Sequence, residues 1–429
     1  MAIALERSDM IRVFTAFSGY DSQCLALNRA NIDYELVGWS EIDKFAIKAH
    51  NALFPQWSDR NFGDISKIDW NQVPDFDLFT YSSPCQDFSN AGKMRGGEKG
   101  SGTRSSLLWE CEKAIRAKLP TYLLMENVAN LVSKKFIGTF QNWLNVLSEL
   151  GYTNYWQVLN AKDYGVPQNR KRVFVVSILN SQEPYYFPKP LETDIRLKDI
   201  LEEYVDEKYY LSGKMINCFE QHAIRYGGRG KQFAWNPTDG NTIAHTVLAS
   251  NGCRPSDNYI EEQQVFVEPI NDQDGACRTI KAQYNNTSRS NLIRQDSFGA
   301  TGVIVIPSNT KDGYVECEVG GVIDISYPTS KTRRGRVQDG GKTTPALTCA
   351  TENNLVRIEN NYRIRKLTER ECFRLMGVND TDSDKIREVV SKSQCYKLAG
   401  NSIVVDVLVA IFNQLFSENK TTDKQLKLF

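Results

Sequence analysis

At 429 residues the chain is long enough for two or three domains and at least one full core. Its 52 Lys and Arg balance its 52 Asp and Glu, so no global charge marks a polyanionic partner, although local patches can still bind one. Ten cysteines without a CxxC pair, three histidines (50, 222 and 245), no apolar run of membrane-span length and no signal-peptide core in residues 1–12 together point to a cytoplasmic protein with reduced thiols, no membrane segment and no structural metal.

In chain order, residues 12–17 read as a strand, Gly19-Tyr20-Asp21 as a turn and residues 22–29 as a helix. Residues 34–39 predict a second strand, 43–53 a helix, and 61–62 a short third strand before Gly63-Asp64. Apolar runs ending at Tyr81 and Met125 give the fourth and fifth strands, with a helix at 105–118 between them. A helix at 139–150 and strands at 155–159 and 172–179 complete the series. Strands alternating with helices predict an α/β fold with a doubly wound, mostly parallel sheet. The rhythm breaks at residues 185–190, and the following stretch, rich in Asn, Gly, Thr and short β-branched runs, predicts a smaller β-rich domain. Helical spacing returns at 368–376 behind a capping box, Thr368 to Glu371, and at 403–417, with Asn401 or Ser402 as the expected cap. The expected organisation is a first domain over 1–185, an inserted domain over 186–361 and a return segment over 362–429.

Two polar groups stand out. Ser83-Pro84-Cys85-Gln86 follows one buried strand and Glu126-Asn127-Val128 ends another, so a thiol and a carboxyl leave the same edge of the sheet. Open α/β sheets bind ligands at that edge. A cysteine nucleophile beside a proton-handling carboxyl suits covalent attack on an electron-poor ring. Taken alone, Cys85 reads as a small buried hydrophobe, and the Gly-rich run at 92–100 as a surface loop; together they suit a nucleophile under a lid. Glu126 is costly to bury unless paired or protonated, and a helix-capping role competes with a catalytic one. In Gln168-Asn169-Arg170-Lys171-Arg172, alternation puts Arg170 and Arg172 on one face, suited to a polar ring or a carboxylate, or else to a solvated edge. Glu41 ends the second strand at the distance where acidic residues meet ribose hydroxyls, and no Gly-x-Gly-x-x-Gly is present. A nucleoside without phosphates needs only close backbone approach at Gly19, and S-adenosylmethionine is such a ligand.

The ordered series Phe-x-Gly, Pro-Cys-Gln, Glu-Asn-Val, Gln-x-Arg-x-Arg, Arg365-Lys366-Leu367-Thr368-x-Arg370-Glu371 and Gly400-Asn401-Ser402 resembles the bacterial and phage C5-cytosine DNA methyltransferases. The resemblance covers residues 11–179 and 362–409. It departs where the family has Gly-x-Gly and this chain has Gly19-Tyr20-Asp21. The resemblance implies methyl transfer from S-adenosylmethionine to carbon 5 of a flipped cytosine, with S-adenosylhomocysteine as product and no metal. It implies that the Cys85 thiolate adds to carbon 6, that Glu126 bonds N3 and that Arg172 holds O2, with Arg170 nearby or supporting the loop. Phe17, Gly19, Glu41, Ile42, Asp64, Pro84, Leu107, Asn401 and Ile403 are then expected to line the cofactor pocket. Gln86, Ser89, Arg333, Arg334 and Arg336 are expected against double-stranded DNA, the last three from the target-recognition domain. A monomer, with a separate cognate restriction endonuclease as an optional partner, completes the expectation. The alternatives are a tRNA cytosine methyltransferase of the same family, a catalytically silent DNA-binding protein on this scaffold and, less well supported, an NAD-dependent oxidoreductase.

Overall fold

The computed structural model describes residues 10–84, 107–227, 235–269, 303–307, 314–318, 322–324, 337 and 355–416. Its centre is a six-stranded sheet. The strands are β1 (Ile11–Ala16), β2 (Tyr34–Ser40), β3 (Leu78–Tyr81), β4 (Tyr122–Val128), β5 (Tyr152–Asn160) and, after the two-residue β6 (Gln168–Asn169), β7 (Lys171–Leu179). Their spatial order is β2-β1-β3-β4-β7-β5, and β7 alone runs antiparallel to its neighbours. The mostly parallel, doubly wound reading holds.

Side-chain alternation explains why both faces are covered. Val13, Leu124, Phe174 and Val176 enter one buried cluster, while Phe14, Leu123, Val173 and Val175 enter the other. Helices α1 (Ser22–Arg29) and α2 (Lys44–Leu53) cover the first face, and α3 (Leu108–Lys118) and α4 (Ile137–Glu149) the second. After α5 (Gly213–Gly227), the return segment supplies α6 (Glu369–Arg374), α7 (Asp380–Val389), α8 (Lys392–Asn401) and α9 (Val405–Phe416), which join the first face. Arg29 of α1 pairs with Asp406 of α9 at 3.0 Å. The stretch Lys392–Phe416 is long and apolar enough to cross a membrane by composition, yet 72% of its apolar window is buried inside the protein, as a core element requires.

The strand ends place the site. Ala16 pairs with both Ser40 and Tyr81, and Tyr81 with Met125. The residues that follow, Phe17, Glu41, Ser82 and Glu126, therefore emerge along one edge. Because β7 runs the other way, its beginning reaches that edge, with Arg172 opposite Val128. The order reverses between β2-β1 and β1-β3, which is the crevice where open sheets bind ligands.

Two expectations change. Residues 61–62 form no strand but a single bridge, Trp39 to Asn61, because the Asn61 side chain organises a turn instead. Asn401 ends α8 and Ser402 caps its C-terminus, so neither opens the last helix. The capping box of α6 is present, with Thr368 and Glu371 bonded reciprocally.

Chain contacts divide the molecule into two compact units, Met1–Ile260 with Lys366–Phe429, and Glu261–Arg365. Of the expected inserted domain, residues 261–361 fall in the second unit and residues 186–260 in the first. Its described strands include an antiparallel pair, β10 (Val303–Pro307) and β11 (Tyr314–Glu318). A second sheet orders β12 (Val322–Asp324), β13 (Leu355–Lys366) and β9 (Tyr259–Pro269), the last preceded in the chain by β8 (Ala244–His245).

Candidate active site

Glu126 is 6% exposed at the end of β4. Arg172 Nε lies 3.1 Å from its Oε1, and the Ser82 hydroxyl donates to its Oε2 at 2.5 Å. Both carboxylate oxygens are thus held, one from each neighbouring strand, which offsets the cost of burial. Asn127 donates to the Ser83 carbonyl at 3.2 Å and to its hydroxyl at 3.3 Å. That pair of contacts fixes the backbone immediately before Pro84. Ser82 and Asn127 were not singled out from the sequence as functional residues. Their signal was position, since each neighbours a motif at a strand end.

Arg170 is placed differently from Arg172. It is 3% exposed and donates through Nη1 to the Val247 carbonyl at 3.1 Å and through Nη2 to the carbonyls of Gly400 at 3.0 Å and Ser402 at 2.7 Å. Gln168, fully buried, donates to the Leu375 carbonyl and accepts from the Val247 amide. Both arginines line one small cavity with Ile403, so alternation did put them on one face. Arg172 alone is ion-paired to Glu126, and Arg170 ties down the return segment.

On the other side of the crevice, three residues with positive φ bend the loop after β1: Phe17 (55°), Gly19 (61°) and Asp21 (69°). Asp21 stands where the resemblance expects glycine. Its carboxylate accepts from the Cys24 amide at 3.1 Å and from the Thr15 hydroxyl at 2.8 Å, so local bonds hold the left-handed conformation. Gly19 donates to Glu41 Oε2 at 3.0 Å, and Glu41 Oε1 accepts from the amides of Ile42 and Asp43, both at 2.8 Å. Asn61 clasps the Glu41 backbone through Oδ1 and Nδ2. Ile42 is 70% exposed beside this carboxylate. Asp64 follows Gly63 and accepts from Ser66, which holds its carboxyl below the usual carboxylate range.

Neither Gly19 nor Gly63 has an atom within 4 Å of where a Cβ would stand, so the loop leaves an open cradle. Glu41 Oε2 carries one bond and retains acceptor capacity for a hydroxyl. These residues fit a ribose and an apolar ring. Pro84 and Leu107 are half-buried at the two ends of the undescribed segment between β3 and α3, Ile403 is buried and Asn401 is exposed. Cys85, Gln86, Ser89, Arg333, Arg334 and Arg336 lie outside the described residues, as does the Gly-rich run at 92–100.

The model of the C-5 cytosine-specific DNA methylases matches residues 11–417. The chain belongs to this family. Among its relatives, the type II methyltransferase M2.ScrFI of Lactococcus lactis subsp. cremoris is 33% identical over 95% of this chain and 99% of the relative. The orphan methyltransferase M.SPRI of Bacillus phage SPR is 32% identical over 94% and 97%. Among solved structures, the Dnmt2 methyltransferase of S. pombe shares the fold with a TM-score of 0.56 at 18% identity, covering 94% of this chain and 98% of that one. This family uses S-adenosylmethionine as its methyl donor. Among the described residues no cluster of His, Cys, Asp and Glu is arranged to hold a metal ion.

Proposed function

We propose that the protein transfers a methyl group from S-adenosylmethionine to carbon 5 of a flipped cytosine in a specific sequence of duplex DNA. The observation that carries the proposal is the Ser82–Glu126–Arg172 arrangement at the strand ends, with Ser82 just ahead of Ser83-Pro84-Cys85 in the chain. The names of the relatives support DNA as the substrate and a restriction–modification or phage setting.

Carbon 5 of cytosine is too weak a nucleophile to attack a sulfonium unaided. Addition of the Cys85 thiolate to carbon 6 turns the ring into an enamine and directs electron density to carbon 5. Glu126 bonds N3, sharing a proton with it, and stabilises the charge that develops as the thiolate adds. Arg172 orients that carboxyl through Oε1 and presents its guanidinium to O2. The cofactor, when bound, supplies the electrophilic methyl group that carbon 5 takes. Loss of the carbon-5 proton to a base then expels Cys85 as thiolate. Glu41 accepts the ribose hydroxyls, Ile42 and Phe17 cover the adenine faces and Asp64 meets its amino group. Pro84, Leu107, Asn401 and Ile403 complete the pocket wall.

The target carbon is inaccessible in a duplex, so the base leaves the stack at a cost of a few kcal/mol. Gln86 and Ser89 then lie against the DNA, and residues 186–361 act as the target-recognition domain, with Arg333, Arg334 and Arg336 following the phosphates. The protein acts as a cytoplasmic monomer, with any cognate endonuclease acting separately.

The test is covalent trapping. Duplex DNA carrying 5-fluorocytosine cannot lose the carbon-5 substituent as a proton, so active enzyme should form a stable protein–DNA adduct. Cys85→Ala should form none and transfer no methyl while still binding S-adenosylhomocysteine. Methyl transfer by Cys85→Ala, or transfer to bulk tRNA in preference to duplex DNA, overturns the proposal.

A further inference from the structure

The buried Arg170 guanidinium joins three stretches that are far apart in sequence. It bridges Val247, which precedes β9, to Gly400 and Ser402, which close α8 beside the cofactor crevice. The same two regions are pressed together independently of the arginine. A Cβ on Gly400 would lie 2.3 Å from the Ala249 nitrogen and 2.4 Å from the Leu248 carbonyl carbon, so backbone meets backbone there. Segment 244–249 is pinned further by β6–β8 pairing, by Thr246 donating to the Asn169 carbonyl and by the Gln168–Val247 bond. From the opposite side the cofactor loop reaches the same point. The Tyr20 hydroxyl lies 2.6 Å from Ser402 Oγ, with its ring edge-on to Phe373.

A continuous set of direct contacts thus runs from the Gly19-Tyr20 turn through Ser402 and Arg170 to Val247. The planar fork suits this geometry, because Nη1 and Nη2 reach acceptors on two separate segments, whereas an ammonium presents its three donors from one nitrogen. Val247 and Ala249 sit on the segment that leads, through residues 250–258, into β9.

We propose that Arg170 is a positioning residue that couples the cofactor loop to segment 244–249, inside the span 186–361, so that cofactor and cognate DNA bind cooperatively through it. This rests on the assignment of residues 186–361 as the DNA-reading part. Arg170 touches neither ligand in this account. A purely structural arginine would change stability, or each affinity separately, and leave their mutual dependence intact. A coupling residue changes the dependence itself, and linkage requires the change to be the same whichever ligand is added first.

The experiment measures the dissociation constant of S-adenosylhomocysteine with and without saturating duplex DNA containing the methylated sequence, for the full chain. The ratio for the unaltered protein should be about fivefold or more, the lower range of such couplings. Arg170→Lys keeps the charge and removes the fork, and should bring the ratio close to one. Tyr20→Phe keeps the ring on Phe373 and removes only the bond to Ser402. It should reduce the ratio by about twofold or more, a range typical for residues along a coupling network, even if Arg170→Lys does not fold. A ratio near one in the unaltered protein, or a ratio unchanged in Tyr20→Phe, overturns the proposal. If the protein methylates duplex DNA normally while no coupling is found, only this inference falls. If it neither binds nor methylates DNA, the function reading falls with it.

Discussion

Ser82 offers the most direct probe of how Glu126 is held. Its hydroxyl donates to Oε2 at 2.5 Å, a length in the charge-assisted range, and Glu126 is nearly sealed from solvent. Ser82→Ala removes that donor without adding bulk. A hydrogen bond to a charged group contributes about 1.5–3 kcal/mol. Arg172 still holds Oε1 at 3.1 Å, so the carboxyl keeps one of its two anchors and the lower end of that range applies. At 1.36 kcal/mol per decade, kcat should fall by about tenfold. Single-turnover methyl transfer at saturating cofactor and DNA reads that loss directly. S-adenosylhomocysteine affinity, measured by calorimetry, should stay within about twofold, because Ser82 follows β3 and is not part of the Gly19–Glu41 cradle. Ser82→Thr, which keeps a hydroxyl, should recover most of the rate. A rate for Ser82→Ala within about twofold of the unaltered enzyme would refute the view that this bond orients Glu126 in the reacting complex.

Glu126→Gln removes the carboxyl that pairs with Arg172 and shares a proton with N3; kcat should drop by about a hundredfold to ten-thousandfold with little change in DNA affinity, and an equal loss in both would contradict its role. Gly400→Ala would drive a Cβ into the backbone at Leu248 and Ala249, costing about 2–3 kcal/mol, whereas Gly138→Ala in α4 has nothing within 4 Å and should stabilise by up to about 1 kcal/mol. Scanning calorimetry should show the two melting temperatures moving in opposite directions, and a Gly400→Ala protein as stable as the parent would mean that the close approach is not rigid. The Arg374 side chain holds the Asp380 carboxyl below its usual range, at 2.7 and 2.8 Å. A depressed native pKa contributes stability that is present above the unfolded value of about 3.9 and is lost as pH falls through the native value. Asp380→Asn should therefore be less stable at neutral pH and should show a shallower acid limb below about pH 4 in denaturant titrations.

Much of the site was legible because parallel topology turns strand ends into neighbours. Cys85 and Glu126 could be assigned to one edge from two apolar runs, and the register from Ala16 through Tyr81 to Met125 puts the two strand ends in line. Asn61 was misread because a short polar-aromatic pair between breakers looks like a strand, and only the Glu41 backbone it clasps reveals a turn. The helix α8 was missed because Gly400-Asn401-Ser402 carries the residues of a helix start. Those residues in fact form a helix end, where a Cβ on Gly400 would stand 2.3 Å from the Ala249 nitrogen, so the close packing of a distant part of the chain leaves room only for glycine.

Local patterning alone determined the sheet class, the edge at which Glu126 emerges and the family to which this methylase belongs, since periodicity and motif spacing are properties of adjacent residues. The partners of equivalent-looking groups were decided only by tertiary packing. Arg170 and Arg172 are two residues apart and share a face, yet one is bonded to three distant carbonyls and the other to Glu126. A buried charge settles on whichever acceptors the fold brings within reach, and that reach is set by chain segments tens to hundreds of residues away.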